Sequence, residues 1–291
     1  MSIQRKSELM VILAGICWGI ISLFILPLAA AGLSSMQITA VRLTTAALIM
    51  TPVMLLTARD KMRVRLKDIW IFFLTGTVFT VGYAALYIYA NVHGETSVAI
   101  VLLYTSPVFV VLLSVPMFHE RITPVKLAAI VLTVAGCILV SGILNGVGSI
   151  SPLVILCGLA SGLSYALYTV FARVAMQRYE SLTVTAYTLI FAMLGILPIG
   201  HLDGVIRMVP AHPEILLWGF GIGIVCMILP VFLFNAGLEH IETGKAAILV
   251  ALEPVVGVII GMTVWHESHT PMKTAGIVLV IAAIILVNRD S

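Results

Sequence analysis

Two charged residues sit where charge is hardest to keep. Glu253, followed at once by Pro254, interrupts the apolar run 244–265, and Arg42 interrupts the run 35–57. An ionisable side chain at the centre of a bilayer costs about 2.5–3.5 kcal/mol on insertion scales, so each needs a reason. The carboxyl of Glu253 could carry a coupling proton or oppose an amino group on a bound solute. It could equally, as a neutral acid, bond to a neighbouring helix and fix packing; both readings leave it able to hold a proton. Pro254 frees a carbonyl one turn back, so the surroundings are locally polar. The guanidinium of Arg42 could pair with a solute carboxylate or with Glu253. Against that, it lies about seven residues into its run, roughly 10 Å below the outer boundary at 1.5 Å per residue, close enough to snorkel outward.

Aromatic and hydroxyl residues cluster at similar depth. Trp18, Tyr83, Tyr104, Tyr165 and Tyr168 lie within apolar runs, with Thr80, Ser106 and Ser164 near them. Each buried hydroxyl needs a partner, which a neighbouring helix can supply. Taken together they suit the amphipathic wall of a wet central cavity. Trp70, Trp218 and Trp265, and also Tyr87 and Tyr89, fall near the ends of runs and read as interfacial belt. Cys17, Cys137, Cys157 and Cys226 show no metal-ligand spacing and no disulfide framework. His119-Glu120 and His266-Glu267 lack the second histidine of a zinc motif, so both glutamates read as turn caps or gate salt bridges. No nucleotide motif or nucleophile–base pairing is readable. These patterns argue against an enzyme and imply no cofactor or metal.

The elements that must position these residues follow from composition. Of 291 residues, 61% are apolar and only 10% charged, against about 25% charged in an average soluble domain. The apolar residues come in blocks of about 20, the length a helix needs to cross about 30 Å of hydrocarbon. Spans are expected near 9–31, 35–57, 69–90, 97–118, 124–142, 152–173, 181–200, 214–237, 244–265 and 271–288. Thr123-Pro124, Ser151-Pro152 and Thr270-Pro271 each place a hydroxyl at the N-cap and a proline at the first helical position. The first block resembles a signal peptide, but its apolar region exceeds the usual 7–15 residues, so it reads as retained. Arg207 and Lys273 fall outside and Arg42 within a span. Every other basic residue, including the 59–67 cluster, collects on the side holding the N-terminus. Both termini are therefore cytoplasmic, and the net +3 charge reflects positive-inside loops in a lipid bilayer with no call for nucleic acid.

The two halves repeat. Gly15-xxx-Gly19 recurs 143 residues later as Gly158-xxx-Gly162, and Thr39-Ala40 recurs 146 later as Thr185-Ala186. From His93 onward the offset is a constant 147. It pairs Glu95-Thr96 with Glu242-Thr243, Pro107 with Pro254, His119-Glu120 with His266-Glu267, and Thr123-Pro124-x-Lys126 with Thr270-Pro271-x-Lys273. Each copy has five spans, so the second enters the membrane from the opposite side. Arg121 accordingly becomes Ser268 where that turn faces out, and Val98 becomes Lys245 where its equivalent faces in. Inverted-topology repeats are a recurring construction of secondary transporters, with the site near the midplane between the copies. The glycine faces permit close helix approach, and Pro107 and Pro254 read as kinks that could act as hinges. Ser106 stands where Glu253 stands, and Thr188 where Arg42 stands, so the two charges break the symmetry.

Trp18-Gly19, Arg42, and the paired Pro107/Pro254 followed by Glu120/Glu267 make the chain similar to the EamA family of the drug/metabolite transporter superfamily, as two repeats over 9–142 and 152–288. The resemblance implies an all-α polytopic protein of ten transmembrane helices in the bacterial plasma (inner) membrane, a monomer or homodimer. It implies transport of a small molecule, often outward, driven by ion or substrate gradients. Family members handle amino acids, nucleotides, vitamins and drugs. One carboxylate and one arginine among tyrosines suit an amino acid or similar amphiphilic solute, with protons as a candidate coupling ion. The alternatives are a component of a lipid-carrier flippase, though those relatives are short and assemble from separate chains, and a membrane protein that transports nothing.

Overall fold

The computed structural model describes residues 2–94, 96–141, 143–145, 150–266 and 270–289. Among them, nine helical runs are long and apolar enough to cross a membrane: Ile3–Ala30, Ser35–Thr57, Leu66–His93, Val98–Phe118, Pro124–Ser141, Pro152–Met176, Glu214–Leu238, Thr243–Thr263 and Pro271–Arg289. A tenth apolar helix, Ser181–Ile196, is shorter. In chain order these are spans 1 to 10, with Ser181–Ile196 as span 7. Large apolar side chains such as Leu56, Leu112, Leu156 and Leu217 stand exposed on their outer faces, as a lipid-facing surface requires. The chain is an all-helical, multi-pass membrane protein.

Local sequence accounts for the ends. The hydroxyls of Thr123, Ser151 and Thr270 accept from the amides of Lys126, Leu153 and Lys273 at 3.1, 3.3 and 3.2 Å, the caps expected ahead of each proline. Span 1 starts earlier than its apolar core, because Ser2 caps a helix from Ile3. Span 7 stops at Ile196 rather than reaching 200, two residues before Pro198, which has no amide to continue the helical ladder.

Spans 4 and 9 correct the expectation of kinked continuous helices. Each is two half-helices: Thr96–Leu103 then Ser106–Phe118, and Thr243–Val250 then Glu253–Thr263. Pro107 and Pro254 occupy the first turn of the second halves. A proline ring clashes with the carbonyl four residues earlier, which here belongs to Leu103 and to Val250, the last residue of each first half. Spans 3 and 8 carry a second matched irregularity, π-helical segments at Leu74–Thr80 and Ile224–Ile228. His119 and His266, 147 residues apart, both adopt left-handed backbone with φ of 56° and 54°.

The repeats interlock. Span 1 packs on spans 8 and 9, while its counterpart, span 6, packs on spans 3 and 4. Span 2 meets spans 7 and 8, span 7 meets spans 2 and 3, and spans 5 and 10 pair with each other. Each broken helix is thus seated on the opposite copy, and glycine makes the seat. A Cβ on Gly19 would lie 2.7 Å from the Glu253 carbonyl and 2.5 Å from Val256; one on Gly162 would lie 2.9 Å from the Leu102 carbonyl.

Polar ties gather at the cytoplasmic ends. The Glu120 carboxylate accepts from the Thr243 and Gly244 amides at 2.6 and 3.1 Å, capping span 9 and filling the turn-cap role read from sequence. Lys126 pairs with Glu242 and donates to the Arg121 carbonyl at 2.9 Å. Lys245 pairs with Glu8 at 2.6 Å. Arg173 donates to the Leu238 and Ile241 carbonyls, and buried Asp68 takes Arg178 at 2.6 Å and the Tyr179 hydroxyl at 2.7 Å. Glu95 and Glu267 lie outside the described residues.

The seats give a direct test. Gly19→Ala should destabilise the protein by about 1–3 kcal/mol through overpacking. Gly257→Ala, whose new methyl meets only the Gly19 carbonyl at 3.6 Å, should be neutral or stabilising. Thermal unfolding of the two variants in detergent distinguishes them.

Candidate functional site

Between the halves lies a cavity of about 1010 Å³. Ser35, Asn91, Gly94, Ser141 and Lys273, all at outer span ends, line its rim, and Trp18, Arg42, Tyr83, Tyr104, Tyr165 and Glu253 line its depth. The cavity therefore faces outward, while the cytoplasmic ties hold the other side shut.

Glu253 is the first residue of the second half-helix of span 9, so its depth follows from the break that Pro254 imposes. Tyr104, which sits in the matching break of span 4, lines the same cavity. Arg42 reaches the same cavity from span 2; among the described residues no ion pair joins it to Glu253. The Arg42 Nε is buried with no hydrogen-bond partner, and so is the Tyr165 hydroxyl. Tyr165 meets the Tyr83 ring edge-on at 5.5 Å, and Trp18 leans on Phe234 at 5.7 Å. Ser106, the counterpart of Glu253, lines the cavity beside Pro107, and Pro254 lines it too. The floor thus gathers a carboxyl and a guanidinium among aromatic rings, with the Arg42 Nε and the Tyr165 hydroxyl buried and unpaired.

Three residues expected in this group lie elsewhere. The Thr80 hydroxyl turns back to the Thr75 carbonyl at 2.7 Å, satisfying the π-helical segment. Ser164 points at span 3, with its Oγ 3.3 Å from where a Gly82 Cβ would stand. Tyr168 is buried below the floor and donates to Asn235. Conversely, Tyr87, assigned to the belt, lines the cavity, as do Ser22, Thr39 and Asn91. Depth along a straight α-helix does not fix the face a side chain presents, because one residue inserted by a π-turn rotates all that follows by about 100°. Lys273, an outer basic residue by sequence, also reaches the rim. Ser22 carries a weak signal that could have found it, since it is the repeat counterpart of Tyr165 at the 143-residue offset.

With this geometry established, comparison with known proteins gives a consistent answer. A model described as the EamA-like transporter family matches residues 5–142 and 152–289. A transporter of Archaeoglobus fulgidus is 29% identical over 213 residues, 73% of this chain and 74% of its own. The pseudopaline exporter CntI of Pseudomonas aeruginosa is 29% identical over 213 residues, 71% of each chain. The inner membrane transporter YicL of Salmonella typhimurium is 26% identical over 100% of this chain and 98% of its own. A crystal structure at 18% identity superposes with a TM-score of 0.79 over 97% of this chain and 96% of that one, which bears on the fold alone. The chain belongs to the EamA-like transporter family.

Proposed function

We propose that this transporter moves a small zwitterionic metabolite, an amino acid or a similar amphiphilic solute, outward across the plasma membrane by alternating access in exchange for a proton on Glu253. One observation carries the reading: Glu253 and Arg42 line one cavity from opposite repeats, and the buried Nε of Arg42 has no partner. A buried, unsatisfied donor costs about 1–3 kcal/mol, and a solute carboxylate on Arg42 would relieve that cost. The solute's ammonium group would then fall to Glu253, with the tyrosine and Trp18 rings around its apolar part. In the order of steps, the deprotonated carboxylate takes the ammonium from the cytoplasmic side, and the loaded cavity opens outward. A proton then displaces the solute and rides back. Proton and ammonium compete for one carboxylate, and that competition makes the exchange obligatory. The name of the pseudopaline exporter among its relatives supports the outward direction.

Two substitutions test the site. Glu253→Gln should express and insert, yet lose the dependence of vesicle transport on pH; flux that varies with pH as in the wild type would remove Glu253 from the coupling role. Arg42→Lys should raise KM for a carboxylate-bearing substrate by about tenfold or more, equivalent to about 1.4 kcal/mol. Lysine cannot reproduce the planar fork of donors. An unchanged KM would return Arg42 to a packing role.

A further inference from the structure

Below the cavity floor, a chain of buried polar groups crosses the closed half of the protein. The Tyr168 hydroxyl donates to Asn235 Oδ1 at 3.4 Å, and Asn235 Nδ2 donates to Thr185 Oγ1 at 3.0 Å. Asn235 and Thr185 are wholly buried and Tyr168 nearly so. The three come from spans 8, 7 and 6. One turn above Tyr168, Tyr165 lines the outward cavity. One turn past Asn235, Leu238 and Glu239 line a second cavity of about 750 Å³ at the cytoplasmic ends. At 1.5 Å per residue, Asn235 stands about 4.5 Å of helical rise from that vestibule. The polar layer lies between two water-accessible spaces.

Such a network could be interhelical glue, worth on average about 0.6 kcal/mol per bond in a membrane. The repeat argues for more. At its 143-, 146- and 147-residue offsets, Tyr168, Thr185 and Asn235 are the counterparts of Ile25, Thr39 and Ile88. The last offset is carried five residues back from His93 along the unbroken helix Val81–His93 and its partner helix Leu229–Leu238. All three counterparts line the outward cavity. In an inverted repeat, the two copies exchange conformations when access alternates, so the surfaces open on one side name the surfaces that open on the other.

We infer that Tyr168, Thr185 and Asn235 form the inner half of the translocation path, a site of neutral hydrogen-bonding groups that receives the polar solute when the cytoplasmic side opens. This rests on the transporter reading above and adds an asymmetry to it. The outer half presents two isoleucines where the inner half presents a phenol and an amide. The inner half therefore holds a polar solute at loading, and the outer half lets it go.

Site-directed thiol labelling tests the assignment. In a chain with Cys17, Cys137, Cys157 and Cys226 replaced by alanine, Thr185→Cys, Asn235→Cys and, as an outer reference, Thr39→Cys would be exposed in oriented vesicles to a charged, membrane-impermeant methanethiosulfonate. Each would be paired with Glu120→Ala, which removes the carboxylate capping Thr243 and Gly244. Thr39→Cys should react from outside. The two inner cysteines should react only from the cytoplasmic side, at least tenfold faster in the Glu120→Ala background; the small change at Thr185 preserves the test if Asn235→Cys fails to fold. Reaction of Thr39→Cys with both inner positions inert in either background would overturn the inner path and leave the outward cavity standing. If Thr39→Cys were inert as well, the cavity, and the transport reading built on it, would fall with the inference.

Discussion

A proline in the middle of a membrane helix leaves main-chain carbonyls that lipid cannot satisfy, and at two of its prolines this chain meets that problem by breaking the helix. Pro107 and Pro254 each end a helix at the residue whose carbonyl the ring would strike. Irregular backbone at that depth is tolerated only against protein or a water-filled cavity. Here it has both. Glycine faces of the opposite repeat press against one side of each break, at Gly19 for span 9 and Gly162 for span 4, and the central cavity opens on the other. The interlocked pairing of the halves, the position of the cavity and the depth of Glu253 all follow from where those two breaks are seated.

On this near-symmetric frame the chemistry is one-sided. Ser106 stands opposite Glu253, and Thr188 opposite Arg42. Thr188 is buried and bonded to Thr75 at 3.1 Å, while Arg42 lines the cavity and keeps a buried, unpartnered Nε. The polar residues fall the other way below the floor, where Asn235 and Tyr168 replace isoleucines. On the proposed alternating-access reading, symmetry supplies two equivalent conformations, and the departures from it decide what each one holds. The cytoplasmic ties, with Glu120 on the amides of span 9 and Lys126 on Glu242, keep one of the two shut.

Much of this was legible in sequence, because membrane spans and repeats are written in patterns that survive without tertiary context. The ten apolar runs, the hydroxyl–proline caps and the five-span repeat needed only composition and offset. So did the isolation of Glu253 and Arg42, whose charge stands out against hydrocarbon. The misplacements share a cause. Thr80, Ser164, Tyr168 and Tyr87 were located by depth alone, which says nothing of the face a side chain presents. The π-helical segment of span 3, which turns Tyr87 inward, has no proline or glycine pattern that announces it. That Pro107 and Pro254 would end helices rather than bend them depended on whether a facing helix could receive the break. That is a property of Gly19 and Gly162 in space.

The most direct measurement of the central claim is proton movement driven by solute alone. Purified protein in sealed proteoliposomes containing a pH-sensitive dye would be given an amino-acid gradient with no initial pH difference. The account predicts one proton moving against each amino acid, with both fluxes saturating together. Amino-acid flux without proton movement, or no saturable flux for any of a broad panel of zwitterions, would contradict it.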